Sequence, residues 1–138
     1  MTLLGPPPRA NRSYLSFYGE LVFASAGCVS CHTPALVTGL SPVPALSRKV
    51  FFPYGDFLLH DMGALGDGIV QGRAGPQQMR TAPLWGLSTR STYLHDGRTT
   101  SLHEAILAHG GQGAVSRSRY SRYDPFSRAA LLAFLRTL

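Results

Sequence analysis

Five residues carry the strongest chemical signal in this chain: Cys28-Val29-Ser30-Cys31-His32. Two thiols one helical turn apart can reach two vinyl carbons on one edge of a porphyrin. The histidine that follows then falls under the iron as an axial ligand. The pattern predicts one covalently bound c-type haem, and with it electron transfer or other redox chemistry. Two further chemistries use paired cysteines. A thioredoxin-like redox disulfide wants a βαβ setting, and no confident strand is visible. A closed zinc site wants four ligands, often as two paired clusters, and this chain has only two cysteines.

The far side of the iron decides what the iron can do. A second strong protein ligand makes an electron-transfer site, and an open side permits peroxide or oxygen chemistry. The candidates are His60, His95, His103, His109, Met62 and Met79. His60 has Asp61 beside it as a hydrogen-bonding neighbour, and His103 stands in the first turn of a capped helix. Met62 and Met79 can serve as core filler. His109 shares an apolar stripe with Leu102, Ala105 and Ile106. An inward-facing histidine there needs a partner, either iron or an ordinary core hydrogen bond.

The elements that must position these groups read as helices. Residues 1–12 form an extended Pro-rich lead-in, and residues 13–138 a single haem domain. Asn11 or Ser13 caps a first helix with Tyr14, Phe17, Tyr18, Leu21 and Val22 at helical spacing, and Gly27 ends it. Ser101-Leu102-His103-Glu104 is a capping box, and Gly110-Gly111 closes that helix. Asp124-Pro125 starts the last helix. Residues 33–76 hold many prolines and glycines and read as irregular loop, with at most a helical turn around Phe57–His60. The expected fold class is all-α, a cytochrome c-like fold with long irregular loops wrapping one haem.

Composition narrows the classes. The chain has 138 residues, 44% of them hydrophobic and only 14% charged, and no apolar run approaches the roughly 20 residues of a membrane span. The net charge of +6 comes from 13 basic and 7 acidic residues. All the basic residues but Lys49 are arginines, which form two-point bonds with carboxylates. They are scattered rather than massed on one helix, which disfavours a nucleic-acid partner. Haem attachment to thiols takes place outside the bacterial cytoplasm, so a periplasmic or extracellular location is expected. Met1 to Arg12 shows no basic and apolar leader, so either a signal has been removed or the chain is a piece of a longer one.

Four further motifs follow in order. They are Tyr54-Gly55-Asp56-Phe57-Leu58-Leu59-His60-Asp61-Met62-Gly63, Arg80-Thr81-Ala82-Pro83-Leu84-Trp85-Gly86-Leu87, Tyr93-Leu94-His95-Asp96-Gly97-Arg98 and Glu104-Ala105-Ile106-Leu107-Ala108-His109-Gly110-Gly111. From about Gly19 to the C-terminus the chain resembles the C-terminal haem domain of the bacterial di-haem oxidoreductases, once described as thiol-oxidoreductase-like and related to di-haem cytochrome c peroxidases. Its first helix, with Gly19 and Phe23 ahead of Cys28, also looks like that of class I cytochromes c. The resemblance implies a relay haem ligated by His32 and His109. Family members carry two haems on two domains, whereas this chain has one C-x-x-C-H. A second haem domain or a redox partner protein is therefore implied. A calcium ion often sits between the two domains of the peroxidase relatives, near the segment matching Arg90 to Tyr93; with half that site absent, the resemblance does not extend to calcium here. A glutamate is common in the family where this chain has Gln112. Arg80 and Arg98 are candidates for holding haem propionates. His95 is read as a hydrogen-bonding residue near the haem edge or as part of an Asp-Gly turn. Trp85 either packs on the porphyrin or lies in the core. The alternative function is a haem enzyme with peroxidase-like activity at an open or displaceable site.

Overall fold

The computed structural model describes residues 5–138. Four α-helices and two short antiparallel strand pairs occur among them. In chain order these are α1 (Tyr14–Ser25), β1 (Leu36–Val37), β2 (Val50–Phe51), β3 (Leu59–Asp61), β4 (Gln78–Arg80), α2 (Leu102–Leu107), α3 (Ala114–Arg122) and α4 (Pro125–Leu135). Residues 5–12 are exposed and carry no regular secondary structure. Residues 1–4 of the expected lead-in lie outside the described residues.

Helices α1 and α4 form the main packing unit. Ser13 caps α1: its Oγ accepts from the Ser16 N–H at 3.1 Å, and Ser16 Oγ accepts from the Ser13 N–H at 2.9 Å. Gly27 ends the segment at φ +85°, a left-handed turn that glycine adopts without strain. Asp124 caps α4 by accepting from the Phe126 and Ser127 N–H groups, with Pro125 in the first turn. Between them, Gly19 sits against the Ala130 carbonyl, where a Cβ would collide with backbone. The buried face of α1 is Ser16, Gly19, Val22 and Phe23; that of α4 is Ser127, Ala130, Leu131, Phe134 and Leu135. Phe23, Phe134 and Tyr54 cluster at ring separations of 5.3 to 6.2 Å. Tyr14, Phe17, Tyr18 and Leu21 instead face outward, Tyr14 being 94% exposed.

The chain is not all-α. Leu36 pairs with Phe51 and Val37 with Val50, while Leu59, His60 and Asp61 pair with Arg80, Met79 and Gln78. The expected helical turn around Phe57–His60 is the approach to a strand. The physical reason is a backbone one. Glycine and proline recur too often between residues 33 and 80 for a helix to nucleate. Segments that pack against the interior must still pair their N–H and C=O groups, and two- and three-residue ladders do this between interruptions. A four-helix count also exceeds the three helices read from the sequence. Helix α3 is rich in arginine and serine, and Tyr120 is its only buried residue.

Helix α2 starts at Ser101, whose Oγ accepts from the Glu104 N–H at 3.3 Å. Glu104 does not return the bond. Its carboxylate accepts from the Thr99 hydroxyl at 2.6 Å. No helix of the described residues is long and apolar enough to cross a membrane.

Candidate haem site

The Gly27 turn leads directly into a 3₁₀ turn over Cys28–Ser30, and the His32 N–H donates to the Cys28 carbonyl at 2.9 Å. This winds both thiols and the imidazole toward one side. Segment Tyr54–Asp56 runs alongside: the Asp56 N–H donates to the Cys31 carbonyl at 2.9 Å. His32 Nδ1 lies 3.0 Å from the Tyr54 carbonyl. A carbonyl only accepts, so Nδ1 carries the proton, and Nε2 keeps its lone pair for another partner.

His109 stands just past the end of α2. Its Nδ1 lies 2.8 Å from the Ala105 carbonyl, which fixes the same tautomer. The two imidazoles face each other with ring centroids 6.5 Å apart and planes at 55°. Two imidazoles on opposite sides of one metal ion, each bound at ~2.0 Å, place their centroids roughly 6 Å apart. Neither Nε2 has a hydrogen-bond partner among the described residues. Burial lowers the pKa of both rings, that of His32 to about 4, so both are neutral donors near neutral pH.

Between them lies a cavity of about 450 Å³, within the roughly 300–1,000 Å³ of ligand clefts. Cys28, Cys31 and His32 line one part and His109 another, with Phe23 and Leu131 among the apolar walls. Burial pushes the Cys28 thiol up to about 11, so it is a neutral thiol rather than a free thiolate. Two thiols at an edge, two neutral imidazoles across a gap and apolar walls are the donor set a haem needs, and the residues present fit that group.

The other expected residues divide. Arg80 lines the cavity, with its guanidinium donating to the Phe57 carbonyl at 3.2 Å. His95 also lines it, in the turn between bridge partners Tyr93 and Thr99, where Gly97 has φ +69°. Arg98 does not reach the cavity and instead pairs with Asp96 at 2.5 Å. Trp85 is likewise absent from the lining and packs with Phe51 and Phe57 at 5.9 and 6.3 Å between ring centroids. His103 Nδ1 lies 2.7 Å from the Tyr120 hydroxyl.

Met62, Met79 and His60 all line the cavity. His60 and Met79 are direct partners across β3 and β4, so period-two alternation turns both the same way. Arg90 and Arg117 line it too. Neither stood out in the sequence as a haem-site residue. Arg90 belongs to no motif, and Arg117 lies on a helix without an apolar stripe. Asp56 accepts from the Leu58 N–H and pairs with His60 Nε2 at 2.8 Å. Burial works against the Asp56 charge, but these partners outweigh it and hold the carboxyl below its ordinary range. Cys31, Asp56 and His60 also stand close enough together to share a metal ion. Attachment of a porphyrin at Cys31 would take that thiol out of any such set.

The cavity, its two thiols and its two imidazoles together could hold a haem. The family described as "Di-haem oxidoreductase, putative peroxidase" matches residues 2–138, and the chain belongs to it. No curated protein and no solved structure matches the chain.

Proposed function

We propose that the chain holds one c-type haem, bound covalently through Cys28 and Cys31 with His32 and His109 as axial ligands, and that it transfers electrons as the relay domain of a di-haem oxidoreductase-like protein. The observation that carries this reading is the facing pair of imidazoles, each anchored through Nδ1 and each with Nε2 left over. A haem with two histidine ligands supplies a reversible one-electron couple, and bis-histidine ligation gives a lower potential than histidine–methionine. The protein's part is to keep both rings neutral, hold them at a fixed separation and exclude bulk water with the apolar walls around Phe23 and Leu131. The redox partner is a second haem domain or a separate redox protein. One C-x-x-C-H motif in a family described as di-haem supports this. A periplasmic or extracellular location goes with thiol attachment of haem. The visible spectrum tests the reading: a sharp ferrous α-band that carbon monoxide does not perturb supports it, and ready carbon monoxide binding contradicts it.

The second reading is peroxidase-like turnover at a displaceable iron position. It is favoured by the family description and by the place of His109, outside the helix and followed by Gly110 and Gly111. A ring held beyond a helix end can leave with less disruption than one inside it.

A further inference from the structure

A run of hydrogen bonds and short stretches of backbone links the two facing histidines. It starts at the C-x-x-C-H segment, where the Asp56 N–H donates to the Cys31 carbonyl and the neighbouring Tyr54 carbonyl accepts from His32. The Asp56 carboxylate pairs with His60 Nε2 at 2.8 Å. Gln112 Oε1 accepts from the Asp61 N–H at 3.0 Å, and His60 Nδ1 stands 3.3 Å from the same oxygen, a contact that is a hydrogen bond only while the ring carries both protons, since Nε2 donates to Asp56. That backbone donor fixes which end of the Gln112 amide points inward. Gln112 is three residues past His109, on a turn over Gly111–Gly113. The turn is packed tightly against β3 and the residues after it. A Cβ at Gly110 would meet the Met62 carbonyl, and one at Gly111 would strike the Asp61 carbonyl. Gln112 is thus the only side chain of this glycine-rich turn that bonds across to β3.

The geometry points to Gln112 and His60 as positioning residues. Through the Asp56–His60–Gln112 strap they hold the His109 loop at ligating distance from an iron carried by His32. This rests on His109 being the axial ligand. Both residues line the cavity, and the role assigned to them runs through His109. The strap joins the two readings of function: intact, it favours a closed relay site, and loosened, it lets an external ligand compete. Partners that orient a metal ligand typically change affinity by about 10–100-fold when removed, which sets the expected size.

The test uses the haem-loaded protein and carbon monoxide as the probe. Gln112→Leu removes the acceptor for both Asp61 and His60, whereas Gln112→Glu keeps an acceptor in place. The ferrous Gln112→Leu protein is expected to bind carbon monoxide at least about tenfold faster than wild type, whose α-band barely responds on the same timescale. Gln112→Glu should stay near the wild-type rate, and all three should give the same far-UV dichroism. His60→Leu, which breaks the strap one link earlier, should match Gln112→Leu. Carbon monoxide binding at the wild-type rate in Gln112→Leu and His60→Leu, with fast binding in His109→Ala, would overturn the positioning role alone. An unchanged spectrum and rate in His109→Ala would instead sink the ligation reading beneath it.

Discussion

Gly19 of α1 lies against the backbone carbonyl of Ala130 in α4, at a separation that leaves no room for a Cβ. The contact joins the helix that leads into Cys28 to the helix that closes the core. Its small size lets Phe23 and Phe134 meet at 5.3 Å next to His32. Gly19→Ala must therefore push the helices apart. Overpacking of this kind costs about 1–3 kcal/mol, and the upper end is expected because backbone, not a flexible side chain, is in the way. Thermal unfolding of the variant should show a fall in midpoint of several degrees. An unchanged midpoint would mean that the two helices do not approach this closely.

The Asp124 cap is a milder test of the same unit. Its carboxylate serves two N–H groups and the Ser127 hydroxyl at the start of α4. Asp124→Ala is expected to cost about 1 kcal/mol, and Asp124→Asn should recover most of it. Urea unfolding followed by dichroism measures both.

Much of this framework is legible in the sequence because its signals are local. Ser13, Ser101 and Asp124 cap helices where the residue types place them, and Gly27 turns the chain into the cysteines. His109 could be placed with Leu102 and Ala105 because helical period is a local property. The strands were not legible. Pairing Leu59–Asp61 with Gln78–Arg80 joins segments about twenty residues apart, and a three-residue ladder has no periodic pattern to detect. Helix α3 was hidden because its sequence has no apolar stripe and its one buried side chain is Tyr120. Trp85 and Arg98 were candidates by residue type and by their place in the motifs, and tertiary packing sends one to Phe51 and Phe57 and the other to Asp96. Arg90 and Arg117 reach the cavity from segments that carry no motif.

The arginines divide by position. Arg80 lines the cavity and Arg98 does not. Removing a positive charge near an iron disfavours the reduced state through the lost Coulomb interaction. Arg80→Leu is expected to lower the midpoint potential by tens of millivolts, and Arg98→Leu to leave it nearly unchanged. Spectroelectrochemical titration of the two variants distinguishes them, and equal shifts would remove Arg80 from the haem environment.

In the haem-free protein, acid should weaken the fold through His32, whose ring a bound iron would otherwise keep unprotonated. Burial lowers its pKa from an ordinary 6.5 to about 4. Between those values the unfolded chain binds more protons than the folded one, so stability falls as pH falls. The contribution is complete above pH 6.5 and is lost as pH drops through about 4. The total is on the order of 3 kcal/mol. Urea midpoints taken across that window should decline with acid. A flat profile would mean that His32 is open to solvent.

The central claim is that His32 and His109 clasp one iron between them. The most direct measurement is the ferrous spectrum of haem-loaded His109→Ala, with and without carbon monoxide, beside wild type. The account predicts a sharp, carbon monoxide-insensitive α-band in wild type. It predicts a high-spin spectrum in the variant that converts on adding the gas. A variant that keeps the unchanged low-spin spectrum would contradict it and move the second ligand to Met62 or Met79.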